Sequence, residues 1–275
     1  MRPVLSAVVL AVVAVLGLTA CSAQSADTVR AFPTSGVPDY QLGGAYTPAR
    51  GVTIVERDST AHPAPGAYGI CYVNGFQTQP GDAALWTGKH PGALLRNDDG
   101  DDDGDPVSDP GWPDEMLLDT RTAATRAEIV SVLTTSIVRC ADRGFDAVEF
   151  DNLDSWTRSH GALTRAGNTV LAKALVAVAH EHGLAAGQKN TPQLAGAGKR
   201  DVGFDFAVAE ECVTYDECSA YTEVYGDRVI DIEYTDDTAG SWPDVCDRDD
   251  RPAMTILRDR DLVAPDDEAY VFEHC

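Results

Sequence analysis

Positive charge is scarce in this 275-residue chain: 21 lysines and arginines stand against 44 aspartates and glutamates, a formal charge of −23. A chain so acidic does not bind nucleic acid by neutralising phosphates. Such a surface suits a cationic ligand and repels anionic polymers; it equally serves plain solubility or an acidic, salt-tolerant proteome, and charge alone leaves those readings open. Familiar cofactor and nucleophile signatures are also missing. No GxGxxG follows the first expected strand, which leaves a dinucleotide without its phosphate loop. There is no GxSxG elbow to present a nucleophilic serine. Without a CxxC pair or a close His–Cys cluster, zinc has no ligand set. His62, His90, His160, His180, His182 and His274 fall mostly in loops and at a helix end, and read as structural or surface residues. No metal and no cofactor are expected.

A membrane-length apolar run is lacking as well. The longest, Val4 to Leu18, is too short and too close to the terminus for a span. Behind Met1-Arg2-Pro3 it reads as the apolar region of a secretory signal. It closes on Leu18-Thr19-Ala20-Cys21, which resembles the lipobox of bacterial lipoproteins, with polar Ser22-Ala23-Gln24-Ser25 behind it as a tether. The expected organisation is a signal peptide over 1–20, a lipidated Cys21, a linker over 21–38 and one domain over 39–275. That places the protein outside the cell, anchored by lipid to the outer face of the membrane. A monomer is expected.

With Cys21 set aside, six cysteines remain, an even number in an exported chain. Cys212 and Cys218 share one short loop and are expected to pair. Cys246 is the expected partner of the terminal Cys275, which leaves Cys71 for Cys140. The segment Asn97–Pro106 is nearly all Asp and Gly. Asp99, Asp101, Asp103 and Gly104 match the start of a calcium loop, but its twelfth position is Pro110, not the bidentate Glu such a loop needs. A solvated acidic insertion is the favoured reading over a calcium-binding surface protein.

Short apolar strands are expected at Tyr40–Leu42, Val52–Glu56, Ala67–Val73, Ala147–Asp151, Leu184–Lys189, Phe204–Glu210, Val229–Tyr234 and Ala253–Leu257. Met116–Asp119 is either a further strand or the lead-in to a helix. Helical spacing of apolar residues is clearest over Thr122–Arg143 and Asn168–His182, with Gly183 as a C-terminal stop. Strands alternating with helices imply a parallel sheet. Eight of them in a chain this long predict an α/β fold of the (β/α)8 TIM-barrel type, a single domain; an open doubly wound sheet is the alternative.

Within Gly144–Trp156, Val148 and Phe150 point one way while Ala147, Glu149 and Asp151 point the other, because strand side chains alternate. Carboxylates at the end of an inner strand are costly to bury and are retained most readily where charge does chemistry. Asp154 also suits a helix N-cap. The other strand ends add Tyr72, Asn74, Lys189, Glu210 or Glu211, Tyr234 and Arg258. In a barrel these ends converge on one mouth. Two carboxylates from different strands are what glycoside hydrolysis needs. Asp151 suits the charged role beside Asn152 and Lys189. Glu210, flanked by Phe206 and Val208, suits the acid through a raised pKa. Trp112, Trp156 and Tyr72 are candidates to stack on sugar rings. If Phe204, Phe206 and Val208 face the helices, alternation turns Glu211 inward rather than Glu210.

Several blocks, in order, resemble glycoside hydrolase family 114, the endo-α-1,4-polygalactosaminidases. They are Ile70-Cys-Tyr-Val-Asn74, Gly111–Arg121, Gly144–Asp154, Gln188-Lys-Asn190 and Ala209–Cys218. The resemblance implies a TIM-barrel domain that hydrolyses α-1,4-linked galactosamine polymers, cationic when deacetylated. It places the family's catalytic Asp on Asp151 and its catalytic Glu on Glu210. Asn74-Gly-Phe-Gln77 departs from the family's pattern, and the Asp-rich insertion is extra. A sugar-binding surface lipoprotein on the same barrel, without catalysis, is the alternative function.

Overall fold

The computed structural model describes residues 28–97 and 104–275. The expected signal peptide, Cys21, and Asp99, Asp101 and Asp103 lie outside them. Eight parallel strands follow one another round the sheet in chain order: β1 (Pro38–Gln41), β2 (Ile54–Asp58), β3 (Tyr68–Asn74), β4 (Ala147–Asp151), β5 (Ala185–Lys189), β6 (Phe206–Glu210), β7 (Val229–Tyr234) and β8 (Met254–Arg258). A ninth, β9 (Phe272–His274), lies antiparallel on the far edge of β8. The eight expected strands are these eight, and β9 is the addition. The molecule is a single-domain TIM barrel.

Helices α1 (Ala83–Lys89), α2 (Ala123–Asp142) and α3 (Arg165–Glu181) pack outside the first half of the sheet. Thr122 starts α2 through a capping box with Thr125, and the Thr164 side chain accepts from the Gly167 N–H at the start of α3. Gly183 follows α3 at φ +77°, a left-handed stop of the expected kind. Met116–Asp119 becomes neither a barrel strand nor a helix. Gln77, Leu94 and Ser108 make antiparallel bridges to Leu117, Leu118 and Met116, folding the long β3–α2 excursion against the mouth.

Side chains sort by alternation. Val148 and Phe150 lie between the sheet and the helices, while Ala147 lies in the barrel interior. On β6 the outcome differs from the expectation. Phe206 and Val208 face the interior, and Ala207 and Ala209 face the helices. Phe204, one step before the strand, does face outward. The interior has room for Phe206 because Gly187 on β5 has no side chain: a Cβ there would meet the Phe206 ring at 2.5 Å. Phe32 stacks on the same ring at 4.0 Å and meets Tyr68 edge-on at 5.5 Å. The segment expected to be linker therefore packs under the barrel from Phe32 onward.

Among the described residues no backbone ladder joins β8 to β1. Side chains cross that seam instead. Arg258, fully buried, binds the Tyr40 carbonyl, lies 3.4 Å from Asp39 and donates to the Tyr46 hydroxyl at 3.2 Å. Three disulfides use all six described cysteines. Cys71–Cys140 joins β3 to α2, Cys212–Cys218 closes the loop after β6, and Cys246–Cys275 holds the C-terminus. All three are the expected pairs.

Candidate active site

The C-terminal ends of the strands open into a cleft of about 800 Å³. It runs from the β8–β1 seam, at Leu42, Arg260 and Leu262, to the excursion after β3, at Trp112 and Glu115. Three neighbouring strands end the same way. The last residue of each, Asp151, Lys189 or Glu210, faces the cleft, and the next, Asn152, Asn190 or Glu211, has φ of 60°, 48° and 60°. Asn adopts this left-handed conformation readily; for Glu it is uncommon and strained. After this turn Asn152 and Asn190 still line the cleft, whereas Glu211 does not.

Lys189 is the hub. Its ammonium, 2 % exposed, lies 3.7 Å from Asp151, 3.5 Å from Glu210 and 3.4 Å from Glu149. It donates to the Tyr40 hydroxyl at 2.8 Å. Burial opposes its charge, but Asp151, Glu149 and Glu210 outweigh burial and hold the pKa well above the ordinary lysine value. Asp151 accepts from the Tyr72 hydroxyl at 2.9 Å and the Asn152 N–H at 2.7 Å. Glu210 accepts from the Tyr234 hydroxyl at 2.5 Å and the Asn190 amide at 3.2 Å. Burial pushes the Glu210 carboxyl up, yet Lys189, Tyr234 and Asn190 together hold it below its ordinary value. The expectation of a raised Glu210 pKa is thus reversed. Phe206 and Val208 do desolvate it from below, but the donors at the rim outweigh them.

The remaining expected residues divide. Tyr72, Trp112, Asn152, Asp154 and Tyr234 line the cleft with Lys189. Trp112 is 66 % exposed at its rim. Asn74 is buried and acts behind the wall, donating to Glu115 at 2.9 Å and accepting from Asn152 at 3.1 Å. Asp154 caps no helix; its carboxylate pairs with Arg158 at 2.8 Å. Trp156 packs instead against the small cluster of Leu95, Val107, Leu117 and Leu163, so it is a core residue and not a sugar platform. Glu211 also leaves the cleft: Arg260 grips both its oxygens at 2.7 and 3.0 Å.

Glu115, Asp109 and Arg158 belong to the cleft and escaped sequence reasoning. Arg158 pairs with both Asp109 (2.5 Å) and Asp154. Among the described residues the Glu115 carboxylate has the Asn74 amide as its one hydrogen-bond donor, and burial with nearby Asp151 and Asp109 pushes it up to about 7 against that bond. It lies inside the Gly111–Arg121 block, so position in a long loop hid it, not composition. Among the described residues one cluster, Cys212, Cys218 and Asp231, has metal-ligand spacing, and its sulfurs are in a disulfide.

The model of glycoside hydrolase family GH114 matches residues 19–275. The chain belongs to this family. It is a glycoside hydrolase. Among solved structures it is similar to Aspergillus fumigatus Ega3 in complex with galactosamine, with a TM-score of 0.69 and 19 % identity, covering 90 % of this chain and 100 % of that one. It is also similar to the glycoside hydrolase domain of PelA from Pseudomonas aeruginosa, with a TM-score of 0.56 and 12 % identity, covering 86 % and 97 %. At these identities the likeness speaks for the fold. No curated protein sequence matches the chain.

Proposed function

We propose that this glycoside hydrolase cuts within α-1,4-linked, galactosamine-containing polysaccharide, with Asp151 and Glu210 as its catalytic carboxylates. The observation that carries this reading is their meeting on one buried ammonium, Lys189, at the floor of a cleft crossing the mouth. The two Lys189 contacts keep the nearest Asp151 and Glu210 oxygens within about 7 Å, at most the sum of 3.7 and 3.5 Å. That accommodates the retaining separation of about 5–5.5 Å. In a retaining cycle the Asp151 carboxylate, oriented by the Tyr72 hydroxyl, the Asn152 N–H and Lys189, attacks the sugar carbon while Glu210 gives a proton to the leaving oxygen. Glu210 then takes a proton from a water that displaces Asp151 from that carbon.

A cationic substrate fits the cleft as well as the net charge. Of its carboxylates, Asp109 and Asp154 face Arg158, and Asp151 and Glu210 face Lys189, while Asp58, Glu115 and Asp261 pair with no cation among the described residues. Glu115 faces an amide and stays available for the ammonium of a deacetylated sugar, with Trp112 exposed beside it for a ring face. The Ega3 structure, similar in fold, contains galactosamine. On this reading Cys21 carries a lipid and holds the enzyme at the outer membrane face, where such polymers lie. The deciding experiment incubates the purified enzyme with deacetylated and fully acetylated galactosamine oligomers. Internal cleavage of the first supports the reading; cleavage of neither overturns it.

A further inference from the structure

Two carboxyls lie directly beneath the catalytic pair and take no part in the steps above. Glu56 on β2 and Glu149 on β4 point into the barrel, 2 % and 0 % exposed. Each acts directly on the other's charge across the interior. None of their four oxygens has a hydrogen-bond donor among the described residues, so a proton on one of the two carboxyls is what could link them. Glu149 has a cation at 3.4 Å, the same Lys189 ammonium that serves Asp151 and Glu210 from below. Two facing carboxylates in a site this dry cannot both stay ionised.

We propose that Glu56 and Glu149 hold one proton between them, seated on Glu56, and that ionised Glu149 is a positioning residue fixing Lys189 under the catalytic pair. This rests on reading Asp151 and Glu210 as that pair. Glu149 keeps the charge because Lys189 touches it. Glu56 keeps the proton because no cation pairs with it among the described residues, and once protonated it can donate to Glu149. Burial pushes both carboxyls up; the shared bond raises Glu56 and lowers Glu149. The other strands bring Tyr40, Tyr72 and Tyr234 to this group, all held neutral by burial, while Arg258 turns away to Asp39 at the seam. Three carboxylates therefore surround one ammonium. Glu149 draws part of its field downward, so Glu210 is stabilised as an anion without losing the proton exchange that turnover needs.

Glu56→Gln copies the protonated acid. It should fold, turn over within about twofold of the parent, and leave the pH profile of kcat/KM in place. Glu149→Gln removes the charge below Lys189, so the ammonium acts more fully on Asp151 and Glu210. The Glu210 pKa should fall further, and the alkaline limb of kcat/KM should move to lower pH. A merely structural role would lower activity without moving that limb. Infrared spectra at neutral pH provide a readout independent of turnover: one protonated-carboxyl band should vanish in Glu56→Gln. If that band persists, or if folded Glu149→Gln keeps its limb, the proposal falls. If the band vanishes but Asp151→Asn retains full activity, the shared proton stands, while the catalytic reading and the positioning role built on it both fail.

Discussion

Glu210 and Glu211 are adjacent, chemically identical and placed in opposite surroundings. Glu210 meets Lys189 and Tyr234 in the cleft; Glu211, after a left-handed turn, is locked on Arg260. Glu210→Gln and Asp151→Asn should each cut turnover by at least roughly 10²-fold while the protein stays folded. Glu211→Gln should keep most activity, because its bonds are to Arg260. Near-full turnover in Glu210→Gln with loss in Glu211→Gln would reverse the assignment. Because the Glu210 pKa is depressed, its protonated form fades as pH rises through that low value, so hydrolysis should be fastest in acid and decline toward neutrality. Glu115 acts in the other direction. Raised to about 7, it loses its charge as pH falls through that value, so affinity for deacetylated oligomers should drop there, and Glu115→Gln should flatten the drop. Calorimetric titration across that range reads both effects.

The strand ends are readable because alternation and a polar last residue coincide: Asp151, Lys189 and Tyr234 all lie where those two signals meet. Alternation misled only on β6, where large apolar residues were assigned to the outer layer. Two neighbours, Gly187 and Phe32, decide that question, and both are remote in sequence from Phe206. Glu115, Asp109 and Arg158 could not be read, since they come from an excursion and a short turn with no period to place them. Trp156 shows the converse, an aromatic beside a catalytic motif that serves the core. The disulfides bind elements at very different spans. Cys71–Cys140 closes 69 residues and Cys212–Cys218 only 6. In the chain-entropy account the first contributes about 4 kcal/mol and the second about 2 kcal/mol. Denaturant melts of paired Cys→Ala variants should rank them in that order. Losing Cys212–Cys218 should affect kcat more than its stability share, because it closes the loop that follows Glu210.

At the scale of the molecule, the −23 charge should draw a polycationic chain in from a distance. Binding should weaken as salt rises, since the screening length is about 10 Å at 0.1 M. Affinity that stays flat in salt would leave the charge a role in solubility alone. Cys21→Ser should release the protein from the membrane fraction, and an unchanged fraction would remove the anchor from the proposal. Both ends of the described chain meet at the floor of the barrel. Phe32 packs against the first residues of β3 and β6 there, and Cys275 donates to the Thr255 carbonyl near the start of β8. Tethering by either end, whether by acyl chains in a bilayer, a resin or a fused partner, therefore holds the enzyme by its base. On the proposed function, the open rim then points away from the support, and the cleft stays clear for substrate.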